Sequence, residues 1–340
     1  MTTAQGEASQ KRTANASLVT CYRNNRTCNP YIPMKIKDIL KSKGKPFPSV
    51  EIVPPLSGMS KEDLFNSIDP LMEYSPRYIN VTRHREEVVF REEADGTFSR
   101  HMVRNRVSET AVCGAIMARY GVEVVPHMIC AGHTADQTAA KLKDFAFLGI
   151  ENVIALRGDS MVGEKRFTPT PGGFSHADEL VRMIKEGGKE GTDFSVGVGG
   201  YPEQHFEAPN LETDIENLKR KVDAGADYVI TQMFFDNNKF YSFRDKCREA
   251  GITVPIIPGI KPLSTLRHVE LLPQSFSIDL PAELTDEVMA HKDDKGAIYR
   301  IGTLWAINQC KDLLKHDVPA IHLYTMGKAG NICEILKECF

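Results

Sequence analysis

The segment Glu151–Asp159, which reads Glu-Asn-Val-Ile-Ala-Leu-Arg-Gly-Asp, is the part of the sequence that decides the fold. Its centre, Val153–Leu156, is a short apolar run that is typical of a strand buried on both faces. Arg157, Gly158 and Asp159 follow directly, so a cation, a flexible backbone and a carboxylate stand where this strand ends. Parallel α/β folds bind ligands just beyond the carboxyl ends of their strands. An isolated Arg-Gly-Asp is more often a solvated loop, so the functional interpretation depends on the other strands.

Seven further segments resemble this strand and alternate with amphipathic helical segments, many of which end at a glycine. Eight parallel strands with helices between them predict an α/β fold, a (β/α)8 TIM barrel, as a single domain over residues 46–340. A doubly wound sheet is the alternative, but it usually has fewer strands and a phosphate-binding fingerprint. The predicted strands are Ser49–Pro54, Tyr78–Thr82, Val122–Ile129, Asn152–Leu156, Phe194–Gly200, Tyr228–Met233, Val254–Ile260 and Ala320–Tyr324.

Two segments depart from this alternation. Residues 1–45 are polar at their start and are predicted to form a partly flexible N-terminal extension, with a short helix at Met34–Lys43. Asp95-Gly96 lies between two β-rich runs and predicts a hairpin over Glu87–Val103. That hairpin would rise beside the exit of the second strand, where it could act as a lid.

Composition and charge restrict the class of protein. A formal net charge of -3 on 340 residues gives no electrostatic argument for binding nucleic acid or an anionic membrane. No apolar run approaches the ~18–20 residues of a membrane span, and the N-terminus does not resemble a secretory signal. The eight cysteines include no Cys-x-x-Cys pair, and Cys113, Cys247, Cys310 and Cys333 fall in predicted helices, which favours reduced thiols. We therefore expect a cytoplasmic protein.

Polar residues collect at the exits of the predicted strands, which converge at one end of a barrel. Glu51 is unusual because it lies within an apolar strand, where burial disfavours the charged carboxylate. A raised pKa would suit Glu51 to act as a general acid, and a structural ion pair with Arg or Lys is equally consistent with its position. The residues at these exits are Glu51, Thr82, His127, Arg157, Gly158, Asp159, Tyr201, His205, Gln232 and Lys261.

The residues at these strand exits do not match the usual pattern of a metal site or of a Schiff-base enzyme. His127, His205 and Asp159 could ligate a cation, but no closely spaced pair such as His-x-His is present, so no metal is expected. The sixth predicted strand carries Gln232 where an aldolase would need a lysine.

The predicted helix Leu211–Ala224 carries a polar line beside its apolar face. Asp214, Asn217 and Lys221 stand at positions i, i+3 and i+7, which places them on one side of a helix. Such a line is ordinarily a solvated face, and contact with a ligand is the alternative.

Several motifs, taken in chain order, resemble the methylenetetrahydrofolate reductase family of the compact bacterial type, catalytic domain only. The resemblance runs from about residue 46 to the C-terminus. The motifs are Glu51 with Pro54-Pro55, Val81-Thr82, Pro126-His127, Ala155–Asp159, Tyr201-Pro202-Glu203-x-His205, Asn217–Ala226, Ile230–Asp236 and Pro258-Gly259-Ile260.

The resemblance implies a flavoprotein that uses FAD and NAD(P)H to reduce 5,10-methylenetetrahydrofolate to 5-methyltetrahydrofolate, by a ping-pong sequence, in one-carbon metabolism and methionine biosynthesis. It implies that Glu51 is the general acid and that Asp159 acts beside the flavin and the pterin. Implied flavin contacts are Thr82, His127, Arg157, Gly158, Asp159, Ala177, Tyr201, His205, Asp214, Asn217, Arg220 and Lys221. Implied substrate contacts are Glu51, Asp159, Gln232, His268, Leu272 and Lys328.

The chain departs from the family pattern mainly in its substrate half. Relatives carry a glutamine and an aromatic residue where His268 and Leu272 stand here. The aromatic residue stacks on the nicotinamide and on the folate in turn, so we expect Leu272 to supply an apolar contact instead. The preference between NADH and NADPH stays open, and the protein is expected to form a homo-oligomer. A non-redox lyase or aldolase barrel and a non-catalytic flavin- or pterin-binding protein are the alternatives to this reductase.

Overall fold

A computed structural model describes residues 33–42, 44–159, 167–187 and 191–340. The chain from Met34 to Phe340 forms one compact unit. Cys21, Cys28 and most of the predicted extension lie outside the described residues, so the extension stays a prediction. The six cysteines that are described are all free thiols, as expected. Within the described residues, no helix has the length and apolar character that crossing a bilayer requires.

Eight parallel strands close into a barrel, which confirms the predicted fold. The barrel order is β1-β10-β9-β8-β7-β6-β5-β2, and each barrel strand begins and ends within two residues of its prediction. The first and last barrel strands pair, from Phe47 opposite Ala320 to Glu51 opposite Tyr324. The strands are β1 (Phe47–Ile52), β2 (Tyr78–Val81), β3 (Glu87–Glu92), β4 (Phe98–Val103), β5 (Glu123–Ile129), β6 (Asn152–Leu156), β7 (Ser195–Gly200), β8 (Tyr228–Met233), β9 (Ile256–Ile260) and β10 (Ala320–Tyr324).

The helices begin and end at local signals that the sequence carries. Ser60 and Asp63 form a capping box at the start of α2, and Gly121 ends α3 in the left-handed conformation with φ 60°. The helices are α1 (Ile36–Lys41), α2 (Lys61–Met72), α3 (Glu109–Tyr120), α4 (Ala135–Phe147), α5 (Ala177–Gly187), α6 (Leu211–Asp223), α7 (Asn237–Glu249), α8 (His268–Phe276), α9 (Ala282–Ala290), α10 (Lys295–Leu314) and α11 (Gly330–Cys339).

The short helix α1 closes the end of the barrel at which the strands begin. Ile36 and Ile39 are buried against apolar residues inside the barrel, including Tyr78 and Tyr228. The backbone N–H of Ile36 donates to Asn152 Oδ1 at 2.7 Å, at the first residue of β6. Because side chains of the barrel satisfy N–H groups that have no partner within the helix, α1 is fixed in place. The opposite end of the barrel is left for the site.

The predicted hairpin is confirmed as the antiparallel pair β3 and β4. Its base is attached to the loop that follows β1. The backbone N–H of Ser57 donates to Asn105 O at 2.8 Å, and that of Val107 donates to Pro55 O at 3.0 Å. Arg106 Nη1 also donates to Pro54 O at 2.8 Å. The hairpin base therefore has a fixed position at the strand-exit end of the barrel.

Candidate active site

A cavity of about 520 Å³ opens at the carboxyl ends of the barrel strands. The structure brings to its wall every residue that was predicted at a strand exit except Lys261. Asn80, Arg83, Arg85, Phe276, His322, Tyr324 and Met326 also line it. Those on its wall from the predicted set are Glu51, Thr82, His127, Arg157, Gly158, Asp159, Tyr201, His205 and Gln232.

Glu51 lies at the inner part of this cavity between two histidines. Its carboxylate is 3.3 Å from His127 Nε2, a distance that allows charge attraction, although the two groups are not aligned for a hydrogen bond. His322 Nε2 lies 3.9 Å from the same carboxylate. On the other side of the ring, His322 Nδ1 is 2.8 Å from Ser49 Oγ. Ser49, His322 and Glu51 thus form a line of polar groups inside the barrel.

The sequence-based expectation of a raised pKa for Glu51 is wrong for the ligand-free site. Burial acts to raise this pKa, but the His127 and His322 imidazoles outweigh burial and lower the pKa to about 2. Burial also lowers the pKa of His322, which favours its neutral form. A carboxylate that faces Nε2 favours the tautomer with its proton on that nitrogen. Glu51 is therefore ionised at neutral pH before a ligand binds.

Asn80 is a polar residue of the site that the sequence interpretation missed. It is fully buried, lies opposite Glu51 in the β1–β2 register and lines the cavity. Neither its Oδ1 nor its Nδ2 has a hydrogen-bond partner among the described residues. Buried amide groups are nearly always hydrogen-bonded, so this side chain is arranged to meet a ligand or water in the cavity. The signal in the sequence was a single asparagine inside the apolar run Tyr78–Val81.

Gly158 is required at the end of β6 by its conformation and by its neighbours. Its φ of +83° suits glycine, and an added Cβ would lie 2.9 Å from the Cβ of Ala131. The tight turn places the exposed carboxylate of Asp159 at the cavity wall. Arg157, on the other side of the turn, forms an ion pair with Glu207 and lines the wall as well.

A second cavity of about 220 Å³ lies between α5 and α6 and shares Leu156, Arg157, Gly199, Tyr201 and His205 with the first. The two cavities therefore form one continuous groove. Its far part is lined by residues that the family resemblance assigned to the flavin, namely Ala177, Asp214, Asn217, Arg220 and Lys221.

The polar line on α6 faces this groove. Lys221 Nζ donates to the carbonyl oxygen of Gly199 at 2.6 Å, and burial lowers the pKa of Lys221 to about 8. Asp214 is buried and accepts a hydrogen bond from the backbone N–H of His205 at 2.9 Å. Burial raises the pKa of Asp214. Lys221 is thus held by β7 and Asp214 by the loop that follows it, which a solvated helix face would not require.

The structure does not bring Leu272 to the cavity. Leu272 is only 2% exposed and packs with Met233, Phe235 and Leu263 in an apolar cluster beside the barrel. Phe276, one helical turn later on α8, lines the cavity instead. The expectation that Leu272 contacts ligands directly is therefore wrong for this structure, because α8 turns that position toward the apolar cluster. An aromatic side chain is nevertheless present at the cavity wall.

His268 and Lys328 do not line the cavity either, and they lie near Lys261 at the ends of β9 and β10. Burial, with the charges of Lys261 and Lys328, lowers the pKa of His268 to about 4. Burial and the charge of Lys328 lower the pKa of Lys261 to about 8. Among the described residues no carboxylate contributes to either shift, so Lys261 and Lys328 make this a positively charged cluster beside the ends of β9 and β10.

Among the described residues, no group of three His, Cys, Asp or Glu side chains is placed to hold a metal ion.

Sequence comparisons identify the relatives of this chain. A family model described as methylenetetrahydrofolate reductase matches residues 35–339. The chain is 34% identical over 281 residues to 5,10-methylenetetrahydrofolate reductase of Escherichia coli K12, covering 83% of this chain and 86% of that protein. It is also 34% identical over 317 residues to methylenetetrahydrofolate reductase (NADH) 1 of Arabidopsis thaliana, covering 90% of this chain and 50% of that protein. The chain thus spans about half the length of that plant relative.

A structural comparison agrees on the fold. An uncharacterised protein from Clostridium thermocellum, described as binding two copies of 5-methyl-5,6,7,8-tetrahydrofolic acid, matches with a TM-score of 0.55 and 12% identity. The match covers 89% of this chain and 97% of that one. At this identity the likeness supports the barrel fold alone. The family match over residues 35–339 and the E. coli relative carry the assignment further: the chain belongs to the methylenetetrahydrofolate reductase family.

Proposed function

We propose that this protein reduces 5,10-methylenetetrahydrofolate to 5-methyltetrahydrofolate with NAD(P)H and FAD, a step of one-carbon metabolism that leads to methionine. One observation carries the proposal: within a chain of this family, Glu51 lies in a cavity continuous with the groove along α6. The groove offers cations for the pyrophosphate of a dinucleotide, and the cavity holds an acid for the protonation of a folate ring.

The groove fits FAD in its shape and in its donors. Gly199 forms part of its wall, and an added Cβ there would touch the Leu156 side chain at 3.4 Å. Lys221 and Arg220 supply positive charge for a pyrophosphate at the α6 end. The unpartnered amide of Asn80 and Nε2 of His127 remain available to a planar ring at the cavity end. Thr82, Arg157, Gly158, Tyr201 and His205 line the part between them.

When bound, FAD would supply hydride transfer between the nicotinamide and the folate. The residues of the chain would do the remaining work. Asn217 and Asp214 would hold the sugar hydroxyls, and Ala177 would pack against the wall of the groove. Asp159, whose carboxylate faces the cavity, would accept hydrogen bonds from the pterin, and Gln232 would bind its amide edge.

Glu51 would provide the proton that opens the five-membered ring of the folate at N10. The ligand-free carboxylate is ionised, so a proton has to reach it in the complex. A pterin that covers Glu51 excludes water and disfavours its charged form, which raises the pKa toward the range of a general acid. His322, held by Ser49, lies beside Glu51 and keeps the carboxyl group oriented.

The test begins with flavin absorbance in the purified protein. A yellow protein that NADH bleaches without oxygen, and that regains colour on adding methylenetetrahydrofolate, supports the proposal. Bleaching without recovery would indicate a flavin-binding protein that does not turn over folate. A colourless protein that cannot be loaded with FAD would favour a non-redox barrel enzyme instead.

A further inference from the structure

The base of the β3–β4 hairpin gathers positive charge beside the cavity. Arg83 and Arg85 precede β3, and Arg104 and Arg106 follow β4, so the antiparallel pairing brings the two pairs together. All four arginines line one small recess at the hairpin base. Arg83 and Arg85 also line the main cavity.

Most of the cations at the hairpin base already form ion pairs with one carboxylate. Glu109 is 2% exposed and lies 2.5 Å from both Arg83 Nη1 and Lys141 Nζ, with Arg104 Nη2 at 3.7 Å. Burial acts to raise the pKa of Glu109, but the charges of Arg83 and Lys141 outweigh it and lower the pKa. Three cations thus share this carboxylate, and Arg85 is not among them.

Arg85 has no such partner in the described part of the chain. Its Nε and Nη1 atoms are shielded from solvent, and neither has a hydrogen-bond partner there. The stem of the side chain passes over Gly132, where an added Cβ would lie 3.7 Å from both Cγ and Nε. Arginine stays charged in proteins, and a shielded charge without a partner is costly. The unpartnered guanidinium donors of Arg85 lie beside a cavity and are therefore suited to bind an anionic ligand.

We propose that Arg85, with Arg83 beside it, binds an oxyanion carried on the distal part of a ligand whose flat ring occupies the cavity. The identity of that ligand rests on the proposed function. The oxyanion is then either a carboxylate of the glutamyl tail of the folate or a phosphate of the nicotinamide dinucleotide. The planar guanidinium matches either group by paired hydrogen bonds. The hairpin base is thus a binding site as well as the point where the β3–β4 hairpin is attached to the barrel.

The position of Arg85 suits this role. It follows the cavity residue Thr82 by three residues, which an extended backbone spans in at most about 11 Å. The backbone of Arg85 therefore lies within about 11 Å of the backbone of Thr82, so an anion bound by Arg85 is close to a ring that contacts Thr82. The α6 groove, with Lys221, is a separate part of the site, so the FAD pyrophosphate and this oxyanion do not compete.

The test compares Arg85→Ala with Arg91→Ala, which removes the same charge from the exposed part of the hairpin. Binding to the FAD-loaded protein is followed by changes in flavin absorbance, without turnover. We expect Arg85→Ala to weaken the ligand that carries the oxyanion by roughly 10–100-fold, and Arg91→Ala to leave it unchanged. Arg85 makes no hydrogen bond to the residues that the structure describes, so the variant should melt at or above the temperature of the parent.

The ligands are chosen to separate the two sources of the oxyanion. If Arg85→Ala binds methylenetetrahydrofolate more weakly than the parent does, but binds an analogue without the glutamate equally well, the oxyanion is a carboxylate. If Arg85→Ala binds NADH more weakly than the parent does, but binds N-benzyl-dihydronicotinamide, which has no phosphate, equally well, the oxyanion is a phosphate. Equal affinities of Arg85→Ala and Arg91→Ala for every ligand would overturn the proposal.

A second measurement does not depend on the proposed function. Glutarate and inorganic pyrophosphate should raise the melting temperature of the parent and of Arg91→Ala more than that of Arg85→Ala, because a ligand that binds only the folded state stabilises it. If this difference is seen in a protein that does not reduce folate, the anion site stands and the proposed function fails. If folate is reduced but neither anion nor substrate binding depends on Arg85, only the present inference fails.

Discussion

Glu51 has surroundings that keep it ionised before a ligand binds, although its proposed role requires a proton. The pKa near 2 comes from His127 and His322, which outweigh burial. The proton must therefore arrive with the folate or after it. Glu51 would therefore be protonated only in the complex with folate. Reduction of the flavin by the nicotinamide needs no proton from this residue.

For Glu51→Gln we expect FAD to remain bound and reduction by NADH to continue near the parent rate. Reduction of methylenetetrahydrofolate should fall by about 10²–10⁴-fold, the usual contribution of general acid catalysis. Stopped-flow measurement of the two half-reactions separately checks this expectation. An equal loss in both half-reactions would show that Glu51 is a structural residue.

Phe276 lines the cavity where the sequence suggested Leu272, which is buried in the apolar cluster. We expect Leu272→Phe to destabilise the protein by about 1–3 kcal/mol, because the added ring overpacks a buried apolar cluster. Phe276→Ala should instead weaken folate and nicotinamide binding, because it removes an aromatic wall of the cavity, and should also lower stability, because Phe276 packs partly against the same cluster. Urea denaturation and steady-state KM values separate the two. A tighter KM for either substrate in Leu272→Phe would restore the earlier interpretation.

At the scale of elements, α6 contributes a charged line to the cofactor groove. Lys221→Ala is expected to weaken FAD affinity by about 10–100-fold, since a charge-assisted hydrogen bond is worth about 1.5–3 kcal/mol. FAD affinity of the parent should also fall as the pH rises past about 8, where free Lys221 loses its proton. Equilibrium dialysis with FAD tests both statements, with Lys219→Ala on the same helix as the control. Parent-like affinity in Lys221→Ala would mean that this line does not hold the cofactor.

The loop after β7 contains a carboxyl group with an unusual pKa. Burial raises the pKa of Glu203 to about 7, although it accepts a hydrogen bond from the backbone N–H of Asp279 at 2.8 Å. Between pH ~4.5 and ~7 the folded protein keeps a proton that the unfolded chain has released, so stability falls as the pH rises through this range. Above pH 7 the cost is constant.

Glu203→Gln keeps an acceptor for Asp279 but cannot ionise. We expect its melting temperature to exceed that of the parent at pH 8, by roughly 2–4 °C for each kcal/mol recovered. The difference should shrink toward pH 5. Calorimetry across this pH range checks the expectation, and a difference that is independent of pH would show that the effect is packing rather than charge.

At the scale of the whole molecule, one cavity mouth serves two substrates in the proposed function. A nicotinamide and a pterin that use the same wall, including Phe276 and Gln232, must bind in turn. We expect parallel double-reciprocal lines and inhibition by each substrate at high concentration. Intersecting lines without inhibition would require a ternary complex, and would contradict the shared site without affecting the FAD assignment.

Apolar runs between helical segments were enough to predict the barrel, because parallel strands buried on both faces leave a strong pattern. Exit residues such as His127 and Asp159 followed from the rule that strand ends converge. The histidine that acts with Glu51 could not be predicted in the same way. His322 lies within β10, and only closure of the barrel brings it to Ser49 and Glu51.

The orientation of α8 was also beyond the sequence. Leu272 and Phe276 are one turn apart and both are apolar, so the sequence pattern alone does not decide which of them faces the ligand. The apolar cluster formed with Met233 and Leu263 decides it. The sign of the Glu51 pKa shift depended likewise on neighbours that are remote in the chain.

The pairing of β1 with β10 has a consequence for how the protein is made. Ser49 and His322, which share a hydrogen bond, are separated by 273 residues. A ribosome that adds about 5–20 residues per second needs on the order of tens of seconds to produce the partner of β1. During that interval the growing chain carries β1 with one open edge, and Ser49 and Glu51 still lack His322 beside them. In the proposed function, affinity for the substrates should therefore appear only after β10 has emerged.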